Sequence, residues 1–73
     1  MQIFIKDNNV NVYDVNSDDT LYSLYNKIQK RIGVDINNFY LTWNSRGLYD
    51  FNKTIKNCGI TRFSTLYLLF RPN

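Results

Sequence analysis

The chain has 73 residues, of which 44% are hydrophobic, 16% aromatic and 21% charged, with a net charge of +3; this is the composition of one globular domain, residues 1–73, and not of a disordered chain. Folding at this length buries only about 60% of the unfolded surface, near the lower limit for a domain that folds alone. There is no His, Glu or Ala, and a single cysteine, Cys58, so no internal disulfide can form, the commonest proton shuttle near neutral pH is missing, and a tetrahedral zinc site has almost no ligands to draw on.

The three glycines, Gly33, Gly47 and Gly59, lie too far apart to cradle a phosphate. Together these absences argue against an enzyme and against any cofactor. No apolar run approaches the roughly 20 residues that span a bilayer, so no membrane partner is expected. A small domain without disulfides fits a reducing compartment.

In chain order, Met1 to Lys6 alternates, with Ile3 and Ile5 on one face of a strand and Gln2, Phe4 and Lys6 on the other. Asp7-Asn8-Asn9 has turn chemistry. Val10 to Val15 follows as the second strand of a hairpin, with an imperfect pattern: Val10 and Val12 share one face, Tyr13 and Val15 the other. A bulge or cover on both sides would reconcile it. Thr20 is a helix N-cap, with Asp18 and Asp19 placed to suit the helix dipole. Leu21, Leu24, Tyr25, Ile28 and Ile32 then repeat at spacings of three and four, an apolar stripe on a helix of about three turns. Lys27, Lys30 and Arg31 gather toward its end, and Gly33 follows as the C′ residue.

Phe39 to Trp43 is β-rich, Asn44 to Gly47 is a turn, and Leu48-Tyr49 a short strand. Phe51 to Ile60 is irregular, anchored by Ile55 and Ile60. Ser64 to Phe70 is the last strand, with Ser64, Leu66, Leu68 and Phe70 on one face and Tyr67 and Leu69 on the other; Pro72 ends it. One striped helix beside several strands predicts a two-layer α+β domain, while strand order stays open at this level. The core expected is Ile3, Ile5, Val15, Leu24, Ile28, Leu41, Leu48, Ile55, Ile60, Leu66 and Leu68.

The opening Met1-Gln2-Ile3-Phe4-Ile5-Lys6 closely resembles the start of ubiquitin. Further matches follow in register: Ser17 to Leu21, Lys27-Ile28-Gln29, Gly33-Val34, Leu48, Asp50, Thr54-Ile55, Ile60 and Ser64-Thr65-Leu66. The resemblance covers essentially the whole chain, with a shorter first turn and a longer segment near Phe51 to Lys53. It implies the ubiquitin-like β-grasp fold, a mixed sheet packed on one α-helix, with the first and last strands parallel at its centre.

The departures from the family carry the functional expectation. The chain ends Arg71-Pro72-Asn73 in place of a flexible tail closing on two glycines, so conjugation is not expected of it as written. By resemblance, Lys6 and Lys27 fall on chain-forming lysine positions, but Arg46, Arg62, Arg31 and Tyr25 replace other such lysines, and a guanidinium cannot serve as the amine nucleophile. The family's apolar recognition patch becomes Thr42, Tyr67 and Leu69, with Asn8 near the position of its first-turn leucine. Lys6, Arg46 and Arg71 rim it, with Phe4 and Tyr40 as neighbours. The candidate partner-binding residues are therefore Lys6, Thr42, Arg46, Tyr67, Leu69 and Arg71. Cys58, without a base, is read as a structural thiol, and Trp43 as packing near the sheet edge.

These residues imply a ubiquitin-like domain that acts by non-covalent protein–protein interaction in the cytoplasm or nucleus. The expected partners are ubiquitin-binding or proteasome-type proteins, met by a monomer that can belong to a larger polypeptide. The alternative is a covalent modifier, truncated here or released from a precursor. Nucleic-acid binding is a minor alternative, because the basic residues are spread over helix, turns and tail without a dense run.

Overall fold

In a computed structural model, residues 1–72 are described. The elements are β1 (Gln2–Lys6), β2 (Val10–Asp14), α1 (Leu21–Ile32), a 3₁₀ turn (Ile36–Asn38), β3 (Phe39–Trp43), β4 (Arg46–Gly47), a second 3₁₀ turn (Lys56–Cys58) and β5 (Thr65–Phe70). The five strands form one mixed sheet in the order β2-β1-β5-β3-β4. β1 and β5 run parallel at its centre, and the other neighbours are antiparallel. One helix lies against this sheet, the ubiquitin-like β-grasp arrangement.

The helix begins where Thr20 takes an extended backbone and its Oγ1 accepts from Ser23 N at 3.2 Å. Two more first-turn N–H groups, those of Leu21 and Tyr22, donate to the carbonyls of Lys53 (2.9 Å) and Phe51 (3.1 Å). The donors that every helix start leaves open are thus met by the long loop after β4. Asp18 and Asp19 precede the cap, and the first turn contains no acid. Asp19 accepts from Asn16 N at 3.0 Å, and Asp18 pairs with Lys56 at 3.0 Å, so their place is in the approach to α1 and not in its first turn. At the other end Gly33, at φ 72°, donates to Gln29 O at 2.9 Å, a left-handed closure that a Cβ would strain.

The stripe on α1 buries Leu21, Leu24, Tyr25 and Ile28. The inner sheet face meets it with Ile3, Ile5, Tyr13, Val15, Phe39, Leu41, Leu66 and Leu68. Every residue expected in the core is buried. Each side chain of this size contributes about 1.5–3 kcal/mol when fully buried. Tyr25 crosses the core to the far strands. It stacks on Phe39 with ring centroids 5.4 Å apart and tilts against Phe51 at 4.8 Å. Its hydroxyl accepts from Leu41 N at 2.9 Å and donates to Leu48 O at 2.7 Å.

Four sequence expectations need correction. β4 is Arg46–Gly47, not Leu48-Tyr49. Asn44 and Ser45 both take positive φ (54° and 65°), the two-residue hairpin turn whose twist matches the flanking strands, so pairing resumes at once with Trp43 opposite Arg46. The β2 pattern needs neither a bulge nor a second cover. Its register with β1 is unbroken from Gln2 opposite Asp14 to Lys6 opposite Val10, and Val10 and Val12 face outward, exposed. β2 ends at Asp14 and β5 begins at Thr65, each a residue inside the expected strand. Phe70 keeps its place opposite buried Phe39 yet is exposed at the end of β5.

Sheet edges are open templates for unwanted pairing, and two carbonyls of the β2 edge are capped by helix side chains. Arg31 Nη1 donates to Val12 O at 2.7 Å and Lys27 Nζ to Asp14 O at 2.9 Å. The Arg31 guanidinium also lies over the Tyr13 ring, 4.7 Å from its centroid.

Candidate functional site: the outer face of the sheet

With one sheet face given to α1, the other is left to solvent. The pairing registers put Val10, Lys6, Tyr67, Thr42 and Gly47 opposite one another in sequence, so one row crosses all five strands. The adjacent row holds Tyr40 opposite Leu69. Tyr67 is 49% exposed and Leu69 43%, far more than strand residues that only seal a core. Thr42 and Tyr40 are half-buried. Arg71 N donates to Asn38 O at 2.9 Å, which fixes the chain as it leaves β5. Its guanidinium lies 5.1 Å from the Tyr40 centroid and 6.0 Å from that of Tyr49, within reach of a cation–π attraction.

Five of the six expected site residues, Lys6, Thr42, Tyr67, Leu69 and Arg71, are therefore gathered on or beside this face. Arg46 is not. Opposite Trp43 and one step out of phase with Gly47, it lines a cavity on the helix side of the β3–β4 hairpin. Asn73 lies outside the described residues.

Three features extend the face beyond what the sequence indicated. Tyr49 lies over Gly47, and a Cβ at position 47 would collide with its ring; the ring also packs 6.0 Å from Tyr40. The missing side chain at Gly47 was the signal. Toward the other edge, Phe63 stacks on Phe4 at 6.2 Å with Arg62 over it at 5.0 Å. Phe63 has φ 64°, a conformation that is strained for a bulky residue. Val10 and Val12 complete the apolar surface on β2.

Lys6, Arg62 and Arg71 supply cations around aromatic and aliphatic groups. Cys58, away from this face, is half-buried in the second 3₁₀ turn. Burial pushes its thiol up from the ordinary 9.0, against the pull of Lys53, so it is held protonated, the opposite of an activated nucleophile. Among the described residues no cluster of three or more His, Cys, Asp or Glu could hold a metal ion, and no helix is long and apolar enough to cross a membrane.

A sheet of this order clasping one helix, with its free face on the central strands, defines the ubiquitin-like class. The ubiquitin family model matches residues 3–73, and the chain belongs to that family. A search of curated proteins found no match.

Proposed function

We propose that the chain acts by non-covalent protein–protein contact through the outer face of its sheet, with Lys6, Thr42, Tyr67, Leu69 and Arg71 at the centre. The carrying observation is the unbroken row from Val10 to Gly47, with exposed Tyr67 within it and exposed Leu69 in the row beside it. An apolar patch rimmed by cations is the usual composition of a protein-binding surface, and Tyr and Arg are the residue types most often found as hot spots. The strained backbone at Phe63 supports the same reading, since conformations that cost about 1–3 kcal/mol persist where the placement of a side chain matters. Ubiquitin-binding or proteasome-type proteins of the cytoplasm or nucleus are the partners that the family membership favours. Arg46 contributes from the side of the hairpin and not from the face itself.

The test is an NMR titration with a ubiquitin-binding helix. Expected are amide shifts along Lys6, Thr42, Tyr67 and Leu69, weaker binding in Leu69→Ala, and stronger binding in Thr42→Ile, which restores apolar area at about 0.8 kcal/mol per buried methylene. Shifts confined to the exposed side of α1, or affinity indifferent to both substitutions, would overturn the proposal.

A further inference from the structure

The β3–β4 hairpin borders a cavity apart from the Tyr67 and Leu69 surface. It has a volume of about 310 Å³ and opens between the start of α1, the hairpin and the second 3₁₀ turn. Buried Leu21 and Leu48 and half-buried Trp43 and Cys58 line its interior. Exposed Arg46 and Lys53 stand at its mouth. The ion pairs among the described residues are Met1–Asp14 and Lys56–Asp18, so neither mouth cation is neutralised. Asp50, the one acid in the lining, turns its Oδ1 to the N–H of Asn52 at 3.2 Å.

We propose that this cavity receives one bulky apolar side chain of a protein partner, flanked in the partner's sequence by acidic residues. The volume is at the small end of ligand cavities, about 300–1,000 Å³, which suits a single ring or branched side chain. The interior offers that group the apolar side chains of Leu21 and Leu48 and the indole of Trp43. The two unpaired cations at the mouth lie where the neighbouring carboxylates of the partner would pass, and complementary charge there favours an acidic peptide over a basic one. The site shares only Arg46 with the residues proposed from the sequence; Gly47 and Tyr49, also in its lining, border the outer sheet face.

Trp43 is the chain's one tryptophan and reports directly on the cavity. The experiment titrates the full chain with acetyl-Glu-Glu-Phe-Glu-Glu-amide while following Trp43 emission and the amide shifts of Cys58 and Gly59. A saturable response is expected, at least tenfold weaker for the peptide with Ala in place of Phe. Cys58→Phe, which fills the cavity from within, and Lys53→Glu, an exposed change that leaves the fold intact, should each weaken binding tenfold or more. Leu69→Ala, on the outer face, should leave it unchanged. The proposal fails if Trp43 shows no saturable response, if the Ala peptide binds equally well, or if neither Lys53→Glu nor Cys58→Phe weakens binding. It also fails if free phenylacetate binds as tightly as the peptide, or if Leu69→Ala abolishes the response, which would place the peptide on the other face.

Discussion

The hydroxyl of Tyr25 donates to the carbonyl of Leu48 across the core at 2.7 Å while accepting from Leu41 N at 2.9 Å. One helix side chain thereby ties β3 to the segment just past β4, where the chain leaves the sheet. A two-residue β4 offers few ladder bonds of its own, and this bridge holds the hairpin that carries Thr42, Gly47 and the cavity wall.

Tyr25→Phe keeps the ring and its stack on Phe39 but strands a buried N–H and a buried carbonyl lone pair. Leaving such groups without partners costs about 1–3 kcal/mol each, so a loss of about 2–6 kcal/mol is expected. Urea unfolding followed by Trp43 fluorescence checks it; a midpoint equal to that of the wild type would mean water replaces the hydroxyl.

Alkali should destabilise the fold. Burial, the largest influence, raises the Tyr25 phenol above its ordinary 10.0, with the Leu41 N–H pulling it the other way. Burial also raises Tyr13, opposed by Arg31, and the Cys58 thiol. In the unfolded chain these groups lose their protons near 10.0 and 9.0, whereas the folded chain retains them to higher pH. The folded state then binds more protons, and stability falls as pH rises through that window. Melting temperature should be flat in these groups up to about pH 8 and decline above pH 9; a melting temperature that rises there would contradict the assignment.

Two leucines three positions apart on β5 should behave oppositely. Leu66 is fully buried and Leu69 is 43% exposed. Leu66→Ala should cost about 2–5 kcal/mol through lost transfer energy and a residual cavity. Leu69→Ala should cost under about 1 kcal/mol, in line with most surface changes, and show its effect in partner binding instead. Denaturant midpoints of the two variants decide the register of the strand.

At position 63 the usual order of alanine and glycine should invert. Glycine adopts a positive φ freely, while an L side chain there costs about 1–2 kcal/mol. Both substitutions lose the stack on Phe4, worth about 0.5–1.5 kcal/mol. Phe63→Gly is therefore expected to be more stable than Phe63→Ala by about 1 kcal/mol. Equal stabilities would show that the backbone relaxes out of the left-handed region.

Much of this was legible in the chain. The alternation of Ile3 and Ile5 against Phe4 and Lys6, and of Leu66 and Leu68 against Tyr67 and Leu69, placed the inner and outer faces correctly, because a period of two leaves no choice once one face is buried. What escaped depends on chain reversal or on a distant partner. The phase of Arg46 hangs on whether the hairpin turn has two residues or four. The helical stripe put Tyr25 on the buried face, but the partners of its hydroxyl, Leu41 N and Leu48 O, and the Arg31 cover over Tyr13 come from elsewhere in the fold, and no local pattern announces them. Tyr49 and Phe63 join the outer face only after their loops fold back over Gly47 and Phe4.

The cations of α1 that cap the β2 edge tie the colloidal fate of the domain to a single helical turn. While Arg31 and Lys27 hold the carbonyls of Val12 and Asp14, two acceptors of that edge are withheld from a pairing strand. When the last turn of α1 frays, Arg31 releases the Val12 carbonyl beside exposed Val10 and Val12, and the half-open molecule becomes a seed for strand exchange with its neighbours. Damage to the end of the helix, at Gly33 or Arg31, would then register less as a lowered reversible melting point than as material lost to precipitation on storage.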